Sequence, residues 1–268
     1  IDASALDTGS SDTTTPANGT GDEADAEQLI ISGTAGKKLT VTGGAANDTI
    51  VGSSDAVDGD NLVGGAGNDT FTMATNLTYK DTINGGDGTD TITAGATLDV
   101  NFMNVTNVET LTLADTATLA GYFDASGITT VNLHTTAAAV DASGTTTGHT
   151  FVSTAAVNDD VKGGQGNDTF EFDGTFTLTN ADTLAGNDGT DTIMLNNSAA
   201  GVTAVVGLGG VTGIDVITVK SAVGLASTSA EAISITLDGE NTAGIDTDNA
   251  TDDTDVTMTI DGSVLTDV

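Results

Sequence analysis

Gly64-Gly65-Ala66-Gly67-Asn68-Asp69-Thr70-Phe71-Thr72 follows a nine-residue pattern, G-G-x-G-x-D-x-U-x, where U is a large apolar residue. Two more full copies occupy 85–93 and 163–171. One match means little in a chain with 35 glycines, but three matches with partial copies in register define a repeat. Phasing on the sixth-position aspartate gives Asp48, Asp60, Asp69, Asp81 and Asp90, spaced alternately by 12 and 9 residues. Nine residues make one turn plus one short strand, which is half a coil. The three extra residues on one side lengthen the coil to 21. The Gly-rich turns 43–48, 64–69 and 85–90 then fall on one edge of a stack, and the looser turns ending at Asp60 and Asp81 on the other.

Each half-coil carries an apolar residue two positions after its aspartate: Ile50, Leu62, Phe71, Ile83 and Ile92. Strand side chains alternate faces, so these five point inward while Thr70, Thr72, Thr91 and Thr93 point outward. The expected fold is all-β, a parallel β-roll or β-helix solenoid with stacked Gly/Asp-rich turns.

The pattern returns in 158–193, with aspartates at 159, 168, 182 and 191. Its Gly-rich turns are 163–168 and a degenerate 186–191, where Asn187 replaces the second glycine. Turn 43–48 is also degenerate, with Ala46 in place of the fourth-position glycine. Between the blocks, 94–157 lacks Gly-Gly turns but keeps strand-like runs at 98–100, 108–113 and 129–133. Asp-Ala-Ser-Gly occurs at 124–127 and again 17 residues later at 141–144, close to one coil. Val105-Thr-Asn-Val-Glu-Thr-Leu-Thr-Leu113 is echoed 106 residues on by Val211-Thr-Gly-Ile-Asp-Val-Ile-Thr-Val219. The chain thus reads as an irregular segment 1–27, a repeat block with a sparser continuation over 28–157, and a second such pair over 158–268. Segment 260–267 resembles 1–7, so one end is expected to continue into another copy, in a tandem array or by head-to-tail stacking. Residue 1 is Ile, so a processed product or a piece of a longer chain is expected. The acidic clusters 22–27 and 246–255 have no assigned role.

Composition narrows the function. The chain carries 39 acidic residues against five lysines and no arginine, a net charge of −34. Nothing in it can neutralise nucleic-acid phosphates, and no apolar run of membrane-spanning length exists. Cysteine is absent, so neither disulfides nor thiol chemistry is available. A divalent cation is the natural counter-ion. No His-Glu-x-x-His or Gly-x-Ser-x-Gly motif is present, and no catalytic residue is assigned. His134 and His149 stand isolated among small and polar residues, and both are expected at the surface.

The Gly-rich turn suits one chemistry. Its glycines let carbonyls converge on a point, and its aspartate adds a carboxylate. A turn stacked about 4.8 Å away completes a shell of oxygens. Six or more oxygens at about 2.3–2.6 Å suit Ca²⁺ and are too loose for Mg²⁺. The candidate metal-binding residues are Gly43, Ala45, Asn47 and Asp48; Gly64, Ala66, Asn68 and Asp69; Gly85, Asp87 and Asp90; Gly163, Gln165, Asn167 and Asp168; and Gly186, Asp188 and Asp191. Three sites are expected: between 43–48 and 64–69, between 64–69 and 85–90, and between 163–168 and 186–191. Asp48 and Asp90 are expected to end the first ladder. Stacked carboxylates repel by about 1 kcal/mol per pair even in water, so folding and metal binding should be coupled.

The nonapeptides resemble those of RTX (repeats-in-toxin) proteins exported by type I secretion. The interleaved Val-Glu-Thr-Leu-Thr-Leu and Asp-Ala-Ser-Gly segments resemble large bacterial surface-layer and adhesin members. The resemblance implies a Ca²⁺-dependent, extracellular structural protein that assembles with itself into a surface layer, filament or matrix. Adhesion, for example to cell-surface polysaccharide, is the alternative. Attachment to a secreted enzyme comes third.

Overall fold

The computed structural model describes residues 28–54, 57–95, 97–133, 139–154, 158–173, 178–197, 204–221, 233–236 and 257–261. Segments 1–27 and 262–268, the acidic cluster 246–255 and His134 lie outside the described residues. The chain divides into two compact units, 1–114 with 122–128, and 115–121 with 129–268.

In the first unit, strands alternate between two parallel sheets. One contains Ile30–Ser32, Thr49–Val51, Thr70–Ala74, Thr91–Ala94 and Thr110–Leu113. The other contains Thr40–Thr42, Asn61–Ala66, Thr82–Asp87 and Val105–Thr106. Thr49 pairs with Thr70 and Thr70 with Thr91, so the 21-residue coil of the sequence is the rise of one rung. Ile50, Leu62, Phe71, Ile83 and Ile92 are wholly buried between the sheets, while the flanking threonines are half-exposed. β-branched and aromatic residues on a strictly alternating strand leave no other choice of face.

The second unit repeats the plan with coils of unequal length. Thr130–Asn132, Thr150–Ser153, Thr169–Asp173, Thr192–Asn197, Val216–Ser221 and Thr257–Asp261 form one parallel sheet. Ala117–Thr118, Ala139–Asp141, Asp160–Lys162, Thr183–Ala185 and Val211–Thr212 form the other. Phe151 stacks on Phe170 with ring centroids 5.5 Å apart. Each unit is therefore a parallel β-solenoid. No helix among the described residues is long and apolar enough to cross a membrane.

Two expectations need correcting. The Asp-Ala-Ser-Gly copies are not equivalent. Asp124 and Ser126 lie in a short helix, Gly121–Ser126, whose Phe123 packs edge-on against Phe102 at 5.1 Å. Asp141 instead ends a strand, with its carboxylate accepting from Ser143. His149 is buried at 3% exposure, not a surface residue. It precedes the strand Thr150–Ser153, its ring meets the Phe151 ring at 6.5 Å, and its N–H donates to Asp168.

Candidate metal centre

Within each unit the Gly-rich turns join the second sheet to the first along one edge. Each brings a carboxylate to the same place on successive rungs. Asp48, Asp69, Asp90, Asp168 and Asp191 are all buried, none more than 1% exposed. Their Oδ1 atoms do a structural job. Asp69 Oδ1 accepts the Asp48 N–H at 2.7 Å, Asp90 Oδ1 accepts that of Asp69 at 2.7 Å, and Asp191 Oδ1 accepts that of Asp168 at 2.7 Å. Each aspartate thus ties its own rung to the one before.

The Oδ2 atoms differ. Those of Asp69, Asp90 and Asp191 are buried with no hydrogen-bond partner. A buried carboxylate oxygen with nothing to bind is costly. A methyl group on Gly64 would strike both Asp69 Oδ2 and the carbonyl oxygen of Gly85 on the next rung. The glycine therefore keeps open a cradle lined by a carboxylate oxygen from one rung and a carbonyl oxygen from the next. Gly65 and Gly67 sit at φ of 123° and 112°, and Gly86 and Gly88 at 112° and 142°. These are conformations that other residues resist.

Turns 43–48 and 163–168 keep the same glycine cradle, at Gly43 and Gly163, but there the Oδ2 atom has a partner. Asp48 Oδ2 accepts the Gly44 N–H at 2.9 Å, and Asp168 Oδ2 accepts the Gly164 N–H at 2.7 Å. The Asn187 side chain donates to the Gly163 carbonyl at 2.7 Å, with Asn187 itself at φ 69°. The third- and fifth-position residues Ala45, Asn47, Asn68, Asp87, Gln165, Asn167 and Asp188 are exposed, and Ala66 is half-buried. The asparagine side chains stitch the outer rim: Asn47 Oδ1 accepts from Asn68 N–H, Asn68 Oδ1 from Thr89 N–H, and Asn167 Oδ1 from Thr190 N–H.

The first ladder does not end at Asp90. Glu109 Oε2 accepts the Asp90 N–H at 2.7 Å, and in the second unit Asp215 Oδ2 accepts the Asp191 N–H at 2.7 Å. Neither residue follows a Gly-Gly turn, so the nonapeptide pattern misses both. Their signal was the apolar residue two positions on, buried Leu111 and Ile217.

Burial pushes the Asp69 carboxyl up to about 7; the Asp48 N–H pulls it down, and the charges of Asp48 and Asp90 raise it further. Burial likewise raises Asp90 and takes Asp191 to about 6. Without a cation these groups hold a proton more readily than an ordinary carboxyl. Among the described residues, no three His, Cys, Asp or Glu side chains converge. Any ion here must be held by backbone carbonyls plus one or two carboxylates, an all-oxygen set that suits a hard cation with a large, flexible shell.

A model of the RTX calcium-binding nonapeptide repeat matches 40–56, 57–72, 77–100, 154–174 and 177–197. These segments are RTX calcium-binding repeats. The cofactor of such repeats is Ca²⁺, and the orphaned Oδ2 atoms and glycine cradles fit it. Asp69, with the Gly85 carbonyl of the following rung, would hold it. Bound there, the ion would neutralise the buried carboxylates. An RTX β-roll is a calcium-binding structural module, not a catalytic fold, and RTX repeat proteins are typically secreted. No curated protein and no solved structure is significantly similar to the chain.

Proposed function

We propose that this chain is an extracellular structural protein that completes its fold on Ca²⁺ and then assembles with copies of itself on a bacterial surface. The observation that carries this reading is the set of buried carboxylate oxygens left without a partner at Asp69, Asp90 and Asp191. They oppose folding until a cation arrives. Extracellular calcium modules work at about 10⁻⁴–10⁻³ M, far above cytosolic calcium, so the switch falls after export. A type I route accords with the repeats. A net charge of −34 keeps copies apart, and calcium lowers that barrier, so folding and assembly share one trigger. A second copy is the proposed partner, with cell-surface polysaccharide next. No feature of the turns calls for catalysis.

Light scattering on the purified chain tests this. Adding millimolar CaCl₂ should produce large particles, and equal MgCl₂ should not. A chain that folds on calcium yet stays monomeric at high concentration would remove the assembly claim and leave an adhesin-type module.

A further inference from the structure

Both Gly-rich ladders run on into a rung that has no nonapeptide. In the first unit it is Asn107-Val108-Glu109, and in the second Gly213-Ile214-Asp215. Both lie beyond the segments that match the repeat model. We propose that each of these closing rungs completes one further calcium site, using Asp90 in the first unit and Asp191 in the second.

Four observations converge. Asp90 and Asp191 are completely buried, and the Oδ2 of each has no hydrogen-bond partner. Those oxygens face the closing rungs. A methyl group on Gly85 would meet Asp90 Oδ2 and the Asn107 carbonyl oxygen together, and one on Gly186 would meet Asp191 Oδ2 and the Gly213 carbonyl oxygen. This is the arrangement that Gly64, Asp69 and the Gly85 carbonyl make between two full nonapeptides. The closing carbonyls are also aimed by unusual backbone. Asn107 sits at φ 51° and Gly213 at 62°, the left-handed region that most residues avoid. Asn107 is held there by its side chain, which donates to Asn84 Oδ1 at 2.9 Å. Finally, Glu109 and Asp215 each bring a second carboxylate to the site while one of their oxygens anchors the aspartate backbone.

The two units reach this arrangement with different turn residues. Elsewhere the fold gives the second oxygen of a buried carboxylate a donor, a hydroxyl as Thr78 does for Asp81 and Thr179 for Asp182, or a glycine N–H as at Asp48 and Asp168. Neither closing rung does so. A buried Oδ2 with no donor, a carbonyl oxygen beside it and a second carboxylate bonded to the same aspartate's N–H make a site for a hard divalent cation. The inference extends the calcium reading of the repeats to rungs outside them.

The test counts calcium ions on the full chain by native mass spectrometry and calorimetry. Glu109→Gln and Asp215→Asn each keep an oxygen to accept the aspartate N–H but lose the charge. Each should hold one calcium fewer than wild type, or bind its weakest ion at least about tenfold less tightly. Asp58→Asn, an exposed charge on neither ladder, should hold the full number. Unchanged ion counts and affinities in both closing-rung variants would overturn the proposal while leaving the repeat sites standing. A wild-type chain that binds no calcium at all would instead overturn the calcium reading itself. If either variant fails to fold, anomalous diffraction from calcium-loaded wild-type crystals decides. A peak between Asp90 Oδ2 and the Asn107 carbonyl supports the site, and a water or bare density there removes it.

Discussion

Asp69 and Asp81 are the same residue in nearly the same surroundings on opposite edges of one unit. Both are buried, and both use Oδ1 to hold the N–H of the aspartate one rung earlier, at 2.7 Å in each case. Only the other oxygen differs. Asp81 Oδ2 accepts the Thr78 N–H at 2.7 Å and its hydroxyl at 3.0 Å. Asp60 on the same edge is closed by Ser53, and in the second unit Ser153 closes Asp159 and Thr179 closes Asp182. Asp69 Oδ2 accepts nothing. The fold thus carries a finished ladder and an unfinished one. A Ser or Thr that reaches back finishes one edge, while on the Gly-rich edge Asp69, Asp90 and Asp191 are left open.

Removing calcium should separate the edges most. With a chelator at pH 7.5 the Gly-rich edge is left with buried, repelling carboxylates. The strand signal in circular dichroism should then be largely lost, and magnesium should not restore it. A chelated chain with an unchanged spectrum would mean that both edges are finished without metal.

Paired variants come next. Thr78→Val strips the hydroxyl from Asp81 and should cost about 1–3 kcal/mol in denaturant unfolding, with or without excess calcium. Asp69→Asn should do the reverse. It removes the buried charge, so the calcium-free chain gains stability while most of the stabilisation by calcium disappears. Equal calcium dependence in the two variants would erase the distinction.

Acidity gives a smaller effect of definite sign. The Asp69 and Asp191 carboxyls are raised to about 7 and about 6 in the folded chain. The folded state therefore binds more protons than the unfolded state between about pH 4 and 7. Its calcium-free stability falls as pH rises through that window. Part of the strand signal lost to chelator at pH 7.5 should return at pH 4.5. Protons and calcium compete for the same oxygens, so apparent calcium affinity should weaken from pH 7.5 to 5.5. A pH-independent affinity would show that these carboxylates do not meet the ion.

The smallest effect expected is that of Ala46→Gly, which restores the full nonapeptide to turn 43–48. Turn 163–168 already has it, yet its Asp168 Oδ2 accepts Gly164 N–H just as Asp48 accepts Gly44 N–H. The variant should therefore lose about 0.4–1 kcal/mol through added chain freedom and gain no ion. An extra calcium would show that the missing glycine alone closes that turn.

This last pair marks how far the sequence could be read. The coil length, the inward row from Ile50 to Ile92 and the separation of the two edges follow from periodicity alone, because alternation and a constant spacing permit one stacking. Which turn stays open depends on the rung beneath it, and no single-turn pattern records that. Gly164 lies against Thr145, not against another Gly-rich turn. His149 misled for a related reason. Its neighbours are small and polar, but it stands where an aspartate stands in other rungs, so the Asp168 carboxylate captures its backbone and the coil buries it. Glu109 and Asp215 were missed because a carboxylate can join the ladder without glycines before it.

The carboxylate contacts of the Gly-rich ladder all run in one direction. Asp48 N–H is held from the rung after it, Asp69 N–H from the next, and Asp90 N–H by Glu109. Each rung lends its carboxylate backward and receives one from ahead. The ladder is therefore a zipper with polarity. On this edge the N–H of each ladder aspartate is satisfied only when its successor is in place.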